Sequence, residues 1–231
     1  MTRCGDCGFD NSEAANFCGG CGCRLRVEET SPPPAAEIRV ESGSLRLVTV
    51  MLVDVQASLE HVRDQDPEAI RGFLNRVLSV IRDAVTGFGG TVAQIAGDGF
   101  MALFGAPVAL EDHAVRACHA ALAMHEAMAA LDQEGGRHAP KLRIGLNSGS
   151  VIFGTFGPDE SFGHSAIGAT TFMAARMEQI ATAGTTRLSR ETLSLAEGYV
   201  VARPMGDRVV KGVPGAVETF ELTGATGQAG L

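Results

Sequence analysis

The sequence predicts a mixed α+β fold with a small cysteine-bearing appendage, and three observations carry that prediction. Short strand-like and helix-like stretches follow one another in the order βααββαβ. The run Leu47 to Val53 is almost continuously apolar and β-branched, the pattern of a strand covered on both faces. Thr91 to Phe104 reads as a hairpin, in which Thr91–Ala96 and Phe100–Phe104 flank Gly97-Asp98-Gly99, whose glycines supply the positive φ of a tight turn. Two carboxylates therefore fall where apolar strands give way to turns: Asp54 after the first run and Asp98 at the hairpin tip. Hard oxygen ligands of this kind suit Mg²⁺ or Mn²⁺.

The helices have their own signals. Asp66-Pro67-Glu68 supplies an N-cap, a first-turn proline and a first-turn acid. Ile70, Phe73, Leu74, Val77, Leu78, Ile81 and Val85 follow at helical spacing, and Gly87 ends the helix. A second helix starts at Asp112, where Ala114, Ala117, Cys118 and Ala121 form a small face suited to close packing; Cys118 and His125 are read there as structural residues. Strands are expected at Leu142–Asn147 and Val151–Phe156, a third helix at about Gly168–Ala181, and further strands near Thr185–Leu188, Val200–Pro204 and Val217–Leu222.

Five of the six cysteines lie in the first 23 residues. Cys4-Gly-Asp-Cys7-Gly8 and Cys18-Gly-Gly-Cys21-Gly22 are matched knuckles, and four thiolates from two such turns make a tetrahedral zinc site. Cys23 is left over, a spectator or a substitute for Cys21. A redox dithiol would need a thioredoxin-like βαβ context, which is absent. A lobe this small has too little core to fold without its metal. The expected organisation is a zinc ribbon over 1–26, a Pro/Glu-rich linker over 27–44, the main domain over 45–223 and a flexible tail over 224–231.

Composition narrows the function. With 231 residues, 45% of them hydrophobic and 20% charged, the chain holds one well-packed domain and a small appendage. The formal net charge of −8 disfavours nucleic acid and anionic membrane as partners, since both need a basic field. No apolar run approaches the roughly 20 residues that span a bilayer, and Thr2-Arg3-Cys4 opens no signal peptide, so a cytoplasmic location is expected.

Six motifs agree in order with one family: the strand ending at Asp54; Gly89-Gly90-Thr91 leading to Gly97-Asp98-Gly99; Phe104-Gly105-Ala106-Pro107 with Glu111-Asp112-His113-Ala114; Arg143-Ile144-Gly145-Leu146-Asn147-Ser148-Gly149; Ala174-Ala175-Arg176-Met177-Glu178; and Lys211-Gly212 before a closing strand. From about Leu45 to Leu222 the chain resembles the class III adenylate and guanylate cyclase homology domain. The resemblance implies a ferredoxin-like fold and a head-to-tail homodimer whose two sites are built from both chains. It implies conversion of a nucleoside triphosphate, ATP foremost, to a 3′,5′-cyclic monophosphate and pyrophosphate. Asp54 and Asp98 would bridge two Mg²⁺ or Mn²⁺ ions. Arg176 matches the transition-state arginine, Lys211 the triphosphate lysine, and Ser58 the small hydroxyl residue of the phosphate loop. In that loop Ala57 replaces the usual glycine and Leu59 the usual threonine.

Three positions depart from the pattern. The base-reading lysine is Gln94 and its partner is Ser165, a pair able to donate or accept at either member and so without fixed polarity toward the base. The ribose-orienting asparagine is Phe172, four residues before Arg176 on the same helix face and unable to hydrogen-bond. The implied alternative is a degenerate cyclase domain that binds nucleotide or dimerises as a regulatory module, with the zinc ribbon docking a protein partner.

Overall fold

The computed structural model describes residues 2–4, 7–11, 18, 20–21, 40–56, 67–96, 99–135, 140–156 and 164–227. It divides into two units, Met1–Arg39 and Val40–Leu231.

In the first unit, β1 (Thr2–Arg3) pairs antiparallel with β2 (Asp10–Asn11). Between them the Cys4 amide donates to the Phe9 carbonyl (2.9 Å) and the Gly8 amide to the Cys4 carbonyl (3.0 Å). Gly8 takes φ +73°, which lets the knuckle close.

The second unit is an eight-stranded sheet with helices on both faces, the mixed α+β architecture that the element order predicts. Its elements are β3 (Val40–Gln56), α1 (Pro67–Gly87), β4 (Thr91–Ala96), β5 (Gly99–Phe104), α2 (His113–Gly135), β6 (Lys141–Phe156), β7 (His164–Ile167), α3 (Ala169–Ile180), β8 (Thr185–Ser189), α4 (Arg190–Leu195), β9 (Val200–Val209) and β10 (Ala216–Ala225). The strands pair in the order β4-β5-β3-β6-β8-β10-β9, with β7 also on β6; only β6–β8 is parallel. Although β5, β3 and β6 separate them in that order, β4 and β7 contact each other, so the sheet curls.

Strand alternation sorts the core into two layers. Met51, Val53 and Val55 of β3 pack with Val77, Ile81 and Val85 of α1, which share one helix stripe at intervals of four, and with the small face of α2. Val48 and Val50 point the other way, onto Ala174 of α3. A buried polar chain ties the first layer together: His113 Nδ1 meets Thr49 Oγ1 (2.7 Å), which meets Ser148 Oγ (2.7 Å), which meets Thr192 Oγ1 (3.0 Å). Burial holds the His113 imidazole below its ordinary pKa, against the opposing pull of Asp112.

Several boundaries differ from the sequence reading. β3 starts at Val40 and so takes in Val40–Ser44, which composition assigns to the linker; these residues find partners on β6, with an irregularity between Glu41 and Ser44. Likewise β10 runs to Ala225, and the Thr226 amide bonds Tyr199 O (2.9 Å), so residues 224–226 of the predicted tail are tied to the sheet. The two strands expected at 142–147 and 151–156 are one, because Ser148, Gly149 and Ser150 stay in register with Thr49, Val48 and Leu47. β7 and α4 are additional to the predicted elements.

One glycine sets how closely α3 can approach. A Cβ at Gly145 of β6 would lie 2.1 Å from the Glu178 amide nitrogen and 2.3 Å from the Ala174 carbonyl oxygen. Gly145→Ala is therefore expected to cost about 3 kcal/mol by forcing α3 off the sheet, read as a lower urea midpoint at unchanged slope.

Candidate active site

Asp54 stands two residues before the end of β3, opposite Gly99 on β5 and opposite Arg143 on β6. Gly99, the residue after Asp98, thus pairs with Asp54, while Asp98 itself, like Ser58, lies outside the described residues. The Asp54 side chain is 17% exposed. Its Oδ2 accepts from Arg143 Nη2 (2.8 Å) and Nε (3.2 Å) and from the Gln56 amide. Arg143 Nη2 also lies 3.0 Å from Glu178 Oε1 on α3. One guanidinium therefore bridges two carboxylates on three elements.

A second cluster surrounds the start of α3. Phe172 and Arg176 are one helical turn apart, and the Arg176 guanidinium stacks 4.5 Å from the Phe172 ring centroid. Arg176 Nη1 donates to Gln179 Oε1, and its Nε is buried with no hydrogen-bond partner among the described residues. The far end of the phenyl ring reaches the β9–β10 turn, where a Cβ on Gly212 would meet it at 3.0 Å. Lys211, exposed beside Gly212, lies in the turn that this ring reaches, although 35 residues of sequence separate it from Arg176.

The two positions that the resemblance assigns to base reading lie on β4 and β7. Gln94 lies on β4 opposite Met101, its side chain outside the described residues; Ser165 lies half-buried on β7 opposite Gly154. The contact between β4 and β7 brings these two strands together. Cys118 takes no part: burial pushes its thiol up to about 12, which keeps it unreactive. His125 is equally structural, its Nε2 on Thr186 Oγ1 at 2.9 Å.

Sequence reasoning missed Arg143 and Glu178 as site residues. Both stand in motifs that carry the family resemblance, but only the tertiary pairing of Arg143 with Asp54 and with Glu178 links them to the site.

In the N-terminal unit, the sulfur atoms of Cys4, Cys7, Cys18 and Cys21 all lie within 4.8 Å of one another. Cys4 and Cys21 are 3.7 Å apart, Cys7 and Cys18 3.5 Å. A tetrahedral zinc with Zn–S bonds of about 2.3 Å requires S···S edges of about 3.8 Å. The Gly20 amide points at Cys18 Sγ (3.3 Å), as expected of a knuckle that stabilises thiolate. The four thiols fit zinc; Cys23 lies outside the described residues.

Comparison with known proteins identifies the family of the second unit. Residues 40–224 match the family described as the adenylate and guanylate cyclase catalytic domain. The chain belongs to that family. It is similar to adenylate cyclase 1 of Rhizobium meliloti (strain 1021), 29% identical over 188 residues, covering 77% of this chain and 27% of the relative. Among solved structures it resembles the adenylyl cyclase CyaB from P. aeruginosa, with a TM-score of 0.75 and 28% identity over 82% of this chain and 100% of that one. It also resembles the guanylate cyclase domain of RhGC from Catenaria anguillulae in complex with GTP, with a TM-score of 0.71 and 27% identity over 79% of this chain and 100% of that one. The chain spans about a quarter of the length of the rhizobial relative.

Proposed function

We propose that the chain is a nucleotide cyclase that converts a nucleoside triphosphate to its 3′,5′-cyclic monophosphate and pyrophosphate in a site shared by two copies arranged head to tail. The observation that carries the shared site is angular. Arg176 and Glu178 are two positions apart on α3, about 200° around its axis, and Glu178 faces the Asp54–Arg143 pair. Each copy thus turns Arg176 away from its own Asp54, and a second copy supplies the missing half.

In the reaction, the ribose 3′-oxygen attacks the α-phosphorus, its proton leaves, and the bond to pyrophosphate breaks. Asp54 and Asp98 offer the hard carboxylate oxygens that would hold two Mg²⁺ or Mn²⁺ ions, a reading supported by the pairing of Asp54 with Gly99, the residue after Asp98. Such ions, when bound, supply Lewis acidity and a template for in-line displacement. Arg176 places its guanidinium where charge builds at the α-phosphate, Lys211 holds the outer phosphates, and Ser58 supplies a hydroxyl to the phosphate loop. Gln94 and Ser165 meet the base without fixed polarity, so base choice is broad; ATP as the foremost substrate is supported by the likeness to adenylate cyclases.

Mixing Asp54→Ala chains with Arg176→Ala chains is expected to restore part of the activity that each lacks alone, because one of the two composite sites in the heterodimer is then intact. No recovery, with subunit exchange demonstrated by differential tagging, would rule out the shared site.

A second reading, a regulatory module that binds nucleotide or dimerises without turnover, is favoured by one observation: the Phe172 ring stands between Arg176 and the Lys211 turn, where a ribose-orienting amide is usual.

The N-terminal unit, over residues 1–26, is proposed as a zinc ribbon that docks a protein partner, and thiolate ligands of this kind fit a reducing, cytoplasmic compartment. Among the described residues no helix is long and apolar enough to cross a membrane. Elemental analysis of the full chain is expected to give one zinc per chain, and a value near zero would refute the site. Turnover is expected to survive chelation of that zinc once Mn²⁺ is restored.

A further inference from the structure

The carboxylate on which metal binding depends is already neutralised within its own chain. Asp54 and Arg143 face each other across the β3–β6 pairing, so the backbone fixes their approach. Arg143 divides its charge: Nη2 is 2.8 Å from Asp54 Oδ2 and 3.0 Å from Glu178 Oε1. The two carboxylates are 17% and 13% exposed, shielded enough that water does not screen the guanidinium away. The Glu178 backbone is held in place, because its nitrogen rests on Gly145 with no room for even one added carbon. The long Arg143 side chain, 29% exposed, is the member of the trio with freedom to move.

We propose that Arg143 is an internal counter-ion that competes with divalent metal for Asp54, and that Glu178 is its fixed receiver when metal takes Asp54. The proposal rests on the reading of Asp54 as a metal carboxylate. A divalent cation at Asp54 would displace Arg143 without stranding it, because Arg143 keeps Glu178 at 3.0 Å. Glu178 is then a positioning residue: it tunes metal affinity without touching the metal. It stands two residues after Arg176 on α3, so the helix that receives Arg143 also carries the arginine that serves the partner copy's site.

The test is Mn²⁺ binding to the full chain without nucleotide, read from the free-Mn²⁺ electron paramagnetic resonance signal, with thermal unfolding of each variant alongside. Glu178→Gln leaves Arg143 to Asp54 alone and is expected to weaken Mn²⁺ binding severalfold. Arg143→Gln removes the competitor and is expected to tighten it by about tenfold, the lower end of what one neighbouring opposite charge does to a carboxylate's proton affinity. Arg143→Lys, which keeps the charge but loses the fork, serves if the glutamine variant fails to fold, and is expected to fall between wild type and Arg143→Gln. A purely structural trio would lower thermal stability in both variants without moving affinity in opposite directions. Affinity that stays constant, or moves the same way in both, while Asp54→Asn abolishes binding, overturns the counter-ion and leaves the metal reading standing. Binding that survives Asp54→Asn overturns both.

Discussion

Asp54→Ala is expected to lower turnover by at least three orders of magnitude while leaving the fold and the dimer in place. The effect is large because, in the proposed mechanism, the carboxylate holds both metal ions, and loss of even one preorganised group facing transition-state charge typically costs on the order of 10²–10³ in rate. The fold should survive because Arg143, which gives up Asp54, keeps Glu178 at 3.0 Å and is not left with a stranded charge. Asp98→Ala is expected to match it, since Gly99 faces Asp54 across the β3–β5 pairing. Steady-state rates with Mn²⁺, beside sedimentation and thermal unfolding, check this: activity within a few-fold of wild type in either variant would contradict the two-metal reading.

Phe172→Asn is the second large effect, and its sign separates a slow enzyme from a scaffold. The wild-type ring spends its face on the Arg176 guanidinium and its edge on the Gly212 turn. If the ring only replaces an amide, the asparagine restores a ribose contact made in the transition state, and kcat rises by up to on the order of 10²-fold with KM nearly constant. The substitution also releases Arg176 from its stacking partner, worth about 0.5–1 kcal/mol at a partly exposed site. If the ring instead fills the ribose pocket, wild type does not bind nucleotide, and Phe172→Asn gains binding first. A brisk wild type slowed by Phe172→Asn would contradict both and would give the ring a direct task on the nucleotide, such as stacking.

Much of the fold was legible because periodicity reports burial directly. Val77, Ile81 and Val85 share one stripe and are fully buried, and the two glycine-flanked strands before and after Asp98 pair as a hairpin. Elements whose residues point nowhere by themselves were not legible. β7 is four residues long and exists because β6 offers an edge; Val40–Ser44 is polar and flexible in composition yet paired; Ser148-Gly149-Ser150 reads as a break but stays in register. The same holds for the candidate site. Phe172 and Arg176 could be placed together from their spacing on one helix, whereas the approach of Lys211 to that helix depends on how the β9–β10 hairpin turns. The Asp54–Arg143–Glu178 trio joins three elements far apart in sequence, so its charges showed only once the strands were in register.

The most direct measurement is product identity. The purified 231-residue chain incubated with Mn²⁺ and, in turn, ATP, GTP, CTP and UTP, with products resolved by mass spectrometry, is expected to yield a 3′,5′-cyclic monophosphate with one equivalent of pyrophosphate, from ATP foremost and with weak discrimination among bases. Intact triphosphate in every reaction, with nucleotide bound and the protein folded and dimeric, would contradict the assignment of catalysis and leave a regulatory module in its place.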